Sequence, residues 1–160
     1  MALPIEDYAL IGDCHTGALV GRDGSIDWLC LPRIDSGACF AALLGGPAHG
    51  RWLIAPAGDL RNVKRRYRDG TLVLETDFET DDGAARVVDF MPLSADRCHV
   101  IRIVEGVRGR VAMRMELVIR FDYGAVVPWV RRVDDALLAT AGPHTLELRT
   151  LVDHRGENLK

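Results

Sequence analysis

Long apolar runs are missing from this 160-residue chain. No stretch approaches the ~20 apolar residues a helix needs to cross a bilayer, so no helical membrane span is expected. The opening residues, MALPIEDYAL, lack a basic segment followed by an apolar core and do not read as a secretory signal. Close cysteine pairs are missing too. Cys14, Cys30, Cys39 and Cys98 are scattered, and without a signal the expectation is reduced, buried thiols in a cytoplasmic protein. Neither charge sign is in large excess. A net charge of −3 gives no general pull toward nucleic acid or a membrane surface, so neither is expected as a partner. There is no GxSxG elbow, no glycine-rich phosphate loop, and no CxxC or HxxxH spacing. No cofactor and no metal are expected on that basis.

What is present is alternation. Over 111–123 the odd positions are Val111, Met113, Met115, Leu117, Ile119, Phe121 and Tyr123, while Arg114, Glu116, Arg120 and Asp122 fall between them. Successive strand side chains point to opposite faces, so this pattern predicts one long, half-buried strand. Residues 72–79 alternate likewise, and Asp81-Asp82-Gly83 reverses the chain into a strand over 87–91. Asp23-Gly24 and Asp69-Gly70 mark two more hairpins, and Gly142-Pro143 a fourth, because Asp-Gly accepts the positive φ of tight turns. Strands punctuated this regularly predict an all-β antiparallel sandwich or barrel. One short helix is expected, capped by Ser36, running through 40–44 and stopped by Gly45-Gly46-Pro47. Residues 154–160 read as a loop without a terminal element. A β-domain ending there would leave an open sheet edge, which invites pairing with a second chain.

Candidate chemistry is sparse. Cys14-His15 and Cys98-His99 are dipeptides, whereas zinc needs three or four converging ligands and a thiol normally meets its base through the fold. The basic run Lys64-Arg65-Arg66-Tyr67-Arg68 faces Glu75, Asp77 and Glu79 on the next strand. Cross-strand neutralisation is expected there, with a phosphate-binding patch as the alternative. Asp81-Asp82 and Asp134-Asp135 look like turn formers, and no pair of carboxylates stands out as a glycosidase acid and base. What remains is aromatic and charged: Asp27-Trp28 leading to Arg33 and Asp35, then Arg120-Phe121-Asp122-Tyr123-Gly124 and Pro128-Trp129. Such residues line both sugar sites and domain interfaces. Phe121 suits the core and Trp28 can join it, while Trp129 and Arg33 stay divided between surface function and structure.

These segments carry a resemblance. PIEDYALIGD (4–13), GALVGRDGSIDWLCLPRIDSGACFAALLGG (17–46), GRWLIAPAG (50–58), RYRDGTLVLET (66–76), VVDFMP (87–92) and MELVIRFDYG (115–124) appear in that order. The chain resembles the amino-terminal domain of bacterial family 15 glycoside hydrolases, the glucoamylase-like enzymes and actinobacterial trehalases. Ile34 and Gly37 depart from the Phe and Pro of a "PRFDSP" loop. The resemblance implies a β-sandwich of super-sandwich type joined to a larger (α/α)6 barrel. That barrel would hold two catalytic glutamates and invert the anomeric centre, so every catalytic residue would lie beyond Lys160.

Three readings follow from it. In the preferred one, the chain is a support domain that places Trp28, Arg33 and Asp35, with Tyr123 and Trp129, at the barrel junction or substrate rim. The second is an independent carbohydrate-binding module for an α-glucoside, stacking sugar on Trp129 or Trp52. The third is an enzyme in its own right.

Overall fold

The computed structural model describes residues 2–94, 97–153, 155 and 156. Among them the chain is all-β, with thirteen antiparallel strands in three sheets. The expectation for 154–160 falls almost wholly outside the described residues.

The amino-terminal third builds most of the first sheet. Strands β1 (Tyr8–Gly12), β2 (Gly17–Gly21) and β3 (Ser25–Cys30) form a meander through tight reversals. The far edge of β3 is then shared: β5 (Arg51–Pro56) pairs with its first half and the short β4 (Ala38–Phe40) with its second. A four-stranded meander follows, made of β6 (Asn62–Tyr67), β7 (Leu74–Glu79), β8 (Gly83–Phe90) and β9 (Ile101–Gly109). The chain returns as β10 (Met113–Val118) to flank β5. It ends in a three-stranded sheet of β11 (Trp129–Val133), β12 (Ala136–Ala141) and β13 (His144–Arg149). All four predicted turns fall between paired strands.

The two large sheets face one another. Ile54 from the first meets Phe78 and Val87 from the second, with Trp52, Val63, Met113 and Met115 packed around them. A neighbouring cluster joins Ile11, Val20, Ile26, Leu29 and Phe40 to Leu74, Met91 and Phe121. Burying each large side chain contributes about 1.5–3 kcal/mol.

Between the sheets sits a buried polar clamp. Arg102 of β9 donates from Nε and Nη2 to the two oxygens of Asp89 on β8, at 2.8 and 3.2 Å. It also donates to Trp52 O at 2.5 Å and Gly24 O at 2.7 Å, and its guanidinium lies 5.3 Å from the Trp52 ring centre. One side chain thus ties the β2–β3 turn and β5 to the opposite sheet. The turn residue has to be glycine: φ is +86° at Gly24, and a Cβ there would lie 2.2 Å from Ile54 O.

Three expectations need correction. The predicted helix through 40–44 is β4 followed by one 3₁₀ turn, Ala42–Leu44. Ser36 caps nothing there; its Oγ instead accepts the Arg33 N–H at 3.2 Å. The apolar run pairs with the open half of β3, a choice that helical or strand periodicity cannot make for so few residues. The long strand over 111–123 is shorter, Met113–Val118, and beyond it the chain leaves the strand course altogether where Asp122 and Tyr123 enter the left-handed region with φ of 51° and 58°. Finally, only Cys30 and Cys39 are buried thiols, while Cys14 is exposed and Cys98 partly so.

Candidate functional site

Strands β1, β3 and β10 finish, and β2 and β5 begin, at the same end of the first sheet. Loops 13–16, 31–37, 41–50 and 119–128 therefore gather there. Direct contacts bind them together. The Ile34 N–H donates to His15 O at 3.1 Å, the Arg120 N–H to Cys39 O at 3.2 Å, and the Cys98 thiol to Pro32 O at 3.0 Å. His49 packs so closely under Gly124 that a Cβ on that glycine, where φ is +102°, would lie 2.9 Å from the ring.

Asp13 anchors the first loop. It is 2% exposed, and its Oδ1 accepts the backbone N–H groups of His15 and Thr16 at 3.0 and 2.9 Å. Burial alone would push its carboxyl up, but those two donors, with the Cys98 thiol, hold it below the usual carboxylate value. Thr16 Oγ1 in turn donates to Cys30 O at 2.6 Å, fixing the loop to the end of β3. Farther down β3, Asp27 accepts from Ser25 Oγ at 2.5 Å and from the Tyr8 hydroxyl at 2.7 Å. Burial and the bond to Asp27 push the Tyr8 phenol up to about 12.

The candidate residues group in pairs. Trp28 is half-buried against Cys30, Ala38 and Ala41, and its ring centre lies 5.9 Å from that of Tyr123. Arg33 donates to both oxygens of Asp35 at 2.8 and 3.1 Å, and both side chains stand in solvent. Each therefore holds the other charged. Trp129 is 69% exposed on β11, opposite Thr140. Among the described residues no ring contact or side-chain hydrogen bond links it to the other candidates. Trp52 is no stacking platform. Its ring lies in the core beneath Arg102, and its Nε1 has no partner.

His49, in a loop without a pattern, is not singled out by the sequence. Arg120 is named with the 120–124 group, but alternation assigns it to a wet face, whereas it is 7% exposed. Among the described residues no group of His, Cys, Asp and Glu is placed to hold a metal ion. No helix there is long and apolar enough to cross a membrane.

The basic run behaves as its cross-strand acids predict. Arg66 and Arg68 donate to the two oxygens of Glu75 at 2.8 and 2.7 Å, and Arg86 donates to both oxygens of Asp77. Arg68 first, then Arg66, hold the Glu75 carboxyl down at about 2. Beside this hairpin a cleft of about 690 Å³ is lined by Tyr8, Arg22, Arg65 and Tyr67. Several of its polar groups are already engaged: Arg22 with Asp7, Arg65 with Val20 O, and the Tyr67 hydroxyl with both backbone groups of Leu10. The loop end, where buried charge and left-handed residues coincide, is the stronger candidate.

Comparison with known proteins gives the family. Residues 1–151 match the family described as trehalase-like, N-terminal. The chain is 34% identical over 142 residues to a trehalase of Mycolicibacterium smegmatis, covering 77% of this chain and 21% of that protein. It is 35% identical over 135 residues to trehalase 1 of Sulfolobus acidocaldarius, covering 84% and 23%. A trehalase of Thermoplasma volcanium is 28% identical over 150 residues, with coverage of 89% and 24%. The chain thus spans about a fifth to a quarter of the length of the curated relatives it matches. No solved structure matches it.

Proposed function

This chain belongs to the trehalase-like N-terminal family, and from that premise we propose that it is the non-catalytic β-domain of a larger family 15 glycoside hydrolase. The observation that carries the reading is the match over 1–151 to a region forming only about a fifth to a quarter of each trehalase. The catalytic part is then an (α/α)6 barrel in the same polypeptide, cleaving the α-glucosidic bond of trehalose with inversion. The chain's own part is to dock against that barrel through the loop end of the first sheet. Tyr123, Val126, Val127 and Ile34 supply exposed apolar surface in those loops, and Trp28 supports Tyr123 from behind. Arg33 and Asp35 stand on the same set of loops, where a substrate rim would lie.

The test compares the purified 160-residue chain with the polypeptide extended through its reading frame beyond Lys160. Glucose release from trehalose and from malto-oligosaccharides is measured for both. The expected result is release by the extended polypeptide alone. Glucose release by the pure chain, copurifying with it, would overturn the reading and make the chain an enzyme in its own right.

One observation favours a second reading, a carbohydrate-binding surface. The exposed Trp129 ring stands in one row with Thr140 and Thr145, whose hydroxyls lie 3.1 Å apart. A ring beside hydroxyls suits the face and rim of a sugar. Millimolar binding of trehalose or malto-oligosaccharides that is lost in Trp129→Ala would establish it.

A further inference from the structure

At the loop end Arg120 is a buried cation without an opposite charge. Its residue is 7% exposed, yet its guanidinium makes one hydrogen bond, from Nη1 to Ile119 O at 2.7 Å. No carboxylate among the described residues lies within 4.0 Å of it. Other acids of the first sheet and its loops have partners of their own: Glu116 pairs with Arg51, Asp35 with Arg33, and Asp13 with the His15 and Thr16 backbone. Asp122, two residues on, makes no ion pair with it. A guanidinium carries five N–H donors in a fixed fork, and a buried cation is expensive unless those donors are met. Among the described residues the sealed and unpartnered side-chain atoms are Trp52 Nε1 and Thr76 Oγ1, so the remaining Arg120 nitrogens keep some access to solvent.

The surroundings hold that tip in place. The Arg120 N–H is fixed to Cys39 O, and Gly50, with φ of +102°, lies against its Cβ. Two and three residues after it, Asp122 and Tyr123 take the left-handed conformation, which is strained for a non-glycine residue. A strained loop beside a half-satisfied buried cation is the form expected of a surface completed by a partner.

We propose that Arg120 is a docking anchor, a socket for one Asp or Glu side chain of the domain that packs on the loop end. This rests on the support-domain reading above and adds the chemistry of the contact. The occupant is assigned by charge and by length: the socket is cationic, and the relatives continue for three-quarters or more of their length beyond the matched region. A planar fork pairs with a carboxylate through two parallel bonds, which would fix the orientation of the incoming domain as well as its position.

Acetate stands in for the missing carboxylate. The ¹⁵N-labelled chain is titrated with sodium acetate, against sodium chloride at matched ionic strength, while arginine Nε–H resonances are followed. The Arg120 signal is identified by its loss in Arg120→Lys. The expected result is a saturable acetate-specific shift of that signal with half-saturation in the millimolar range. The Arg102 signal should stay still, and acetate should raise the thermal midpoint of the wild type but not of Arg120→Met. Absence of a saturable shift would overturn the proposal, as would equal movement of the exposed Arg33 and Arg149 signals or equal acetate stabilisation of the variant. If Arg120→Met does not fold, the wild-type titration decides alone. The glucose-release experiment is indifferent to this result, so the two readings fail separately.

Discussion

Between the two large sheets, Arg102 has a carboxylate on one side, two carbonyls on the other and a Trp52 ring against it. At the loop end, Arg120 is nearly as enclosed and has one carbonyl. Burial alone does not separate them; completion does. The first arrangement is finished within the chain and ties its layers together. The second has the look of an interface from which one side has been removed. The charged surface follows the first arrangement. Glu75 collects three arginines on the outer face of the second sheet, so that cluster too is completed inside the chain.

The largest expected effect sharpens that contrast. Arg102→Met leaves Asp89 buried without a cation and should lower the unfolding free energy by about 3–5 kcal/mol. Arg120→Met gives up one hydrogen bond and should change it by no more than about 1.5 kcal/mol. Urea denaturation of the two variants decides, and equal losses would break the comparison.

Next in size is Tyr8→Phe, which removes the hydroxyl donated to Asp27 and should cost about 1–2 kcal/mol. The folded phenol titrates near 12 against an ordinary 10, so its contribution is complete below pH 10 and fades as pH rises toward 12. Stability measured from pH 9 to 12 should fall in the wild type by a step that Tyr8→Phe lacks.

The acid limb belongs to Glu75. Its folded carboxyl titrates near 2 against an ordinary 4.5, so its contribution is present above pH 4.5 and lost as pH falls toward 2. Acid unfolding curves of Glu75→Gln should be flatter across that window than those of the wild type. Smallest of all is Asp35→Asn. The Arg33–Asp35 pair stands in solvent, where ion pairs contribute little, so no change in thermal midpoint is expected.

The sequence made the hairpins legible because an Asp-Gly turn is local chemistry. The reversals at Gly24, Gly70 and Gly83 need only their own residues and the strands they join. It also showed the cross-strand neutralisation of the basic run, since pairing in a tight hairpin follows from the turn. What it hid depends on distant partners. Residues 38–40 become a strand only because half the β3 edge stands open, which no local pattern encodes. Arg120 looked like a wet-face residue because alternation was carried five positions past the end of β10. Its burial comes from loops brought in by β3, β4 and β5. Trp28 and Tyr123, nearly a hundred positions apart, were candidates for separate reasons, and only the fold makes them neighbours. Cys14 and Cys98, expected inside by composition, reach the surface because both lie in loops.

The account turns on whether the loop end is an interface. Hydrogen–deuterium exchange over residues 119–128 tests this, comparing the 160-residue chain with the polypeptide extended beyond Lys160. The account predicts that these amides, and those of 31–37, slow in the extended polypeptide while β8 and β9 stay unchanged, and that Arg120→Met reverses the slowing. Identical exchange at 119–128 in both polypeptides would contradict it.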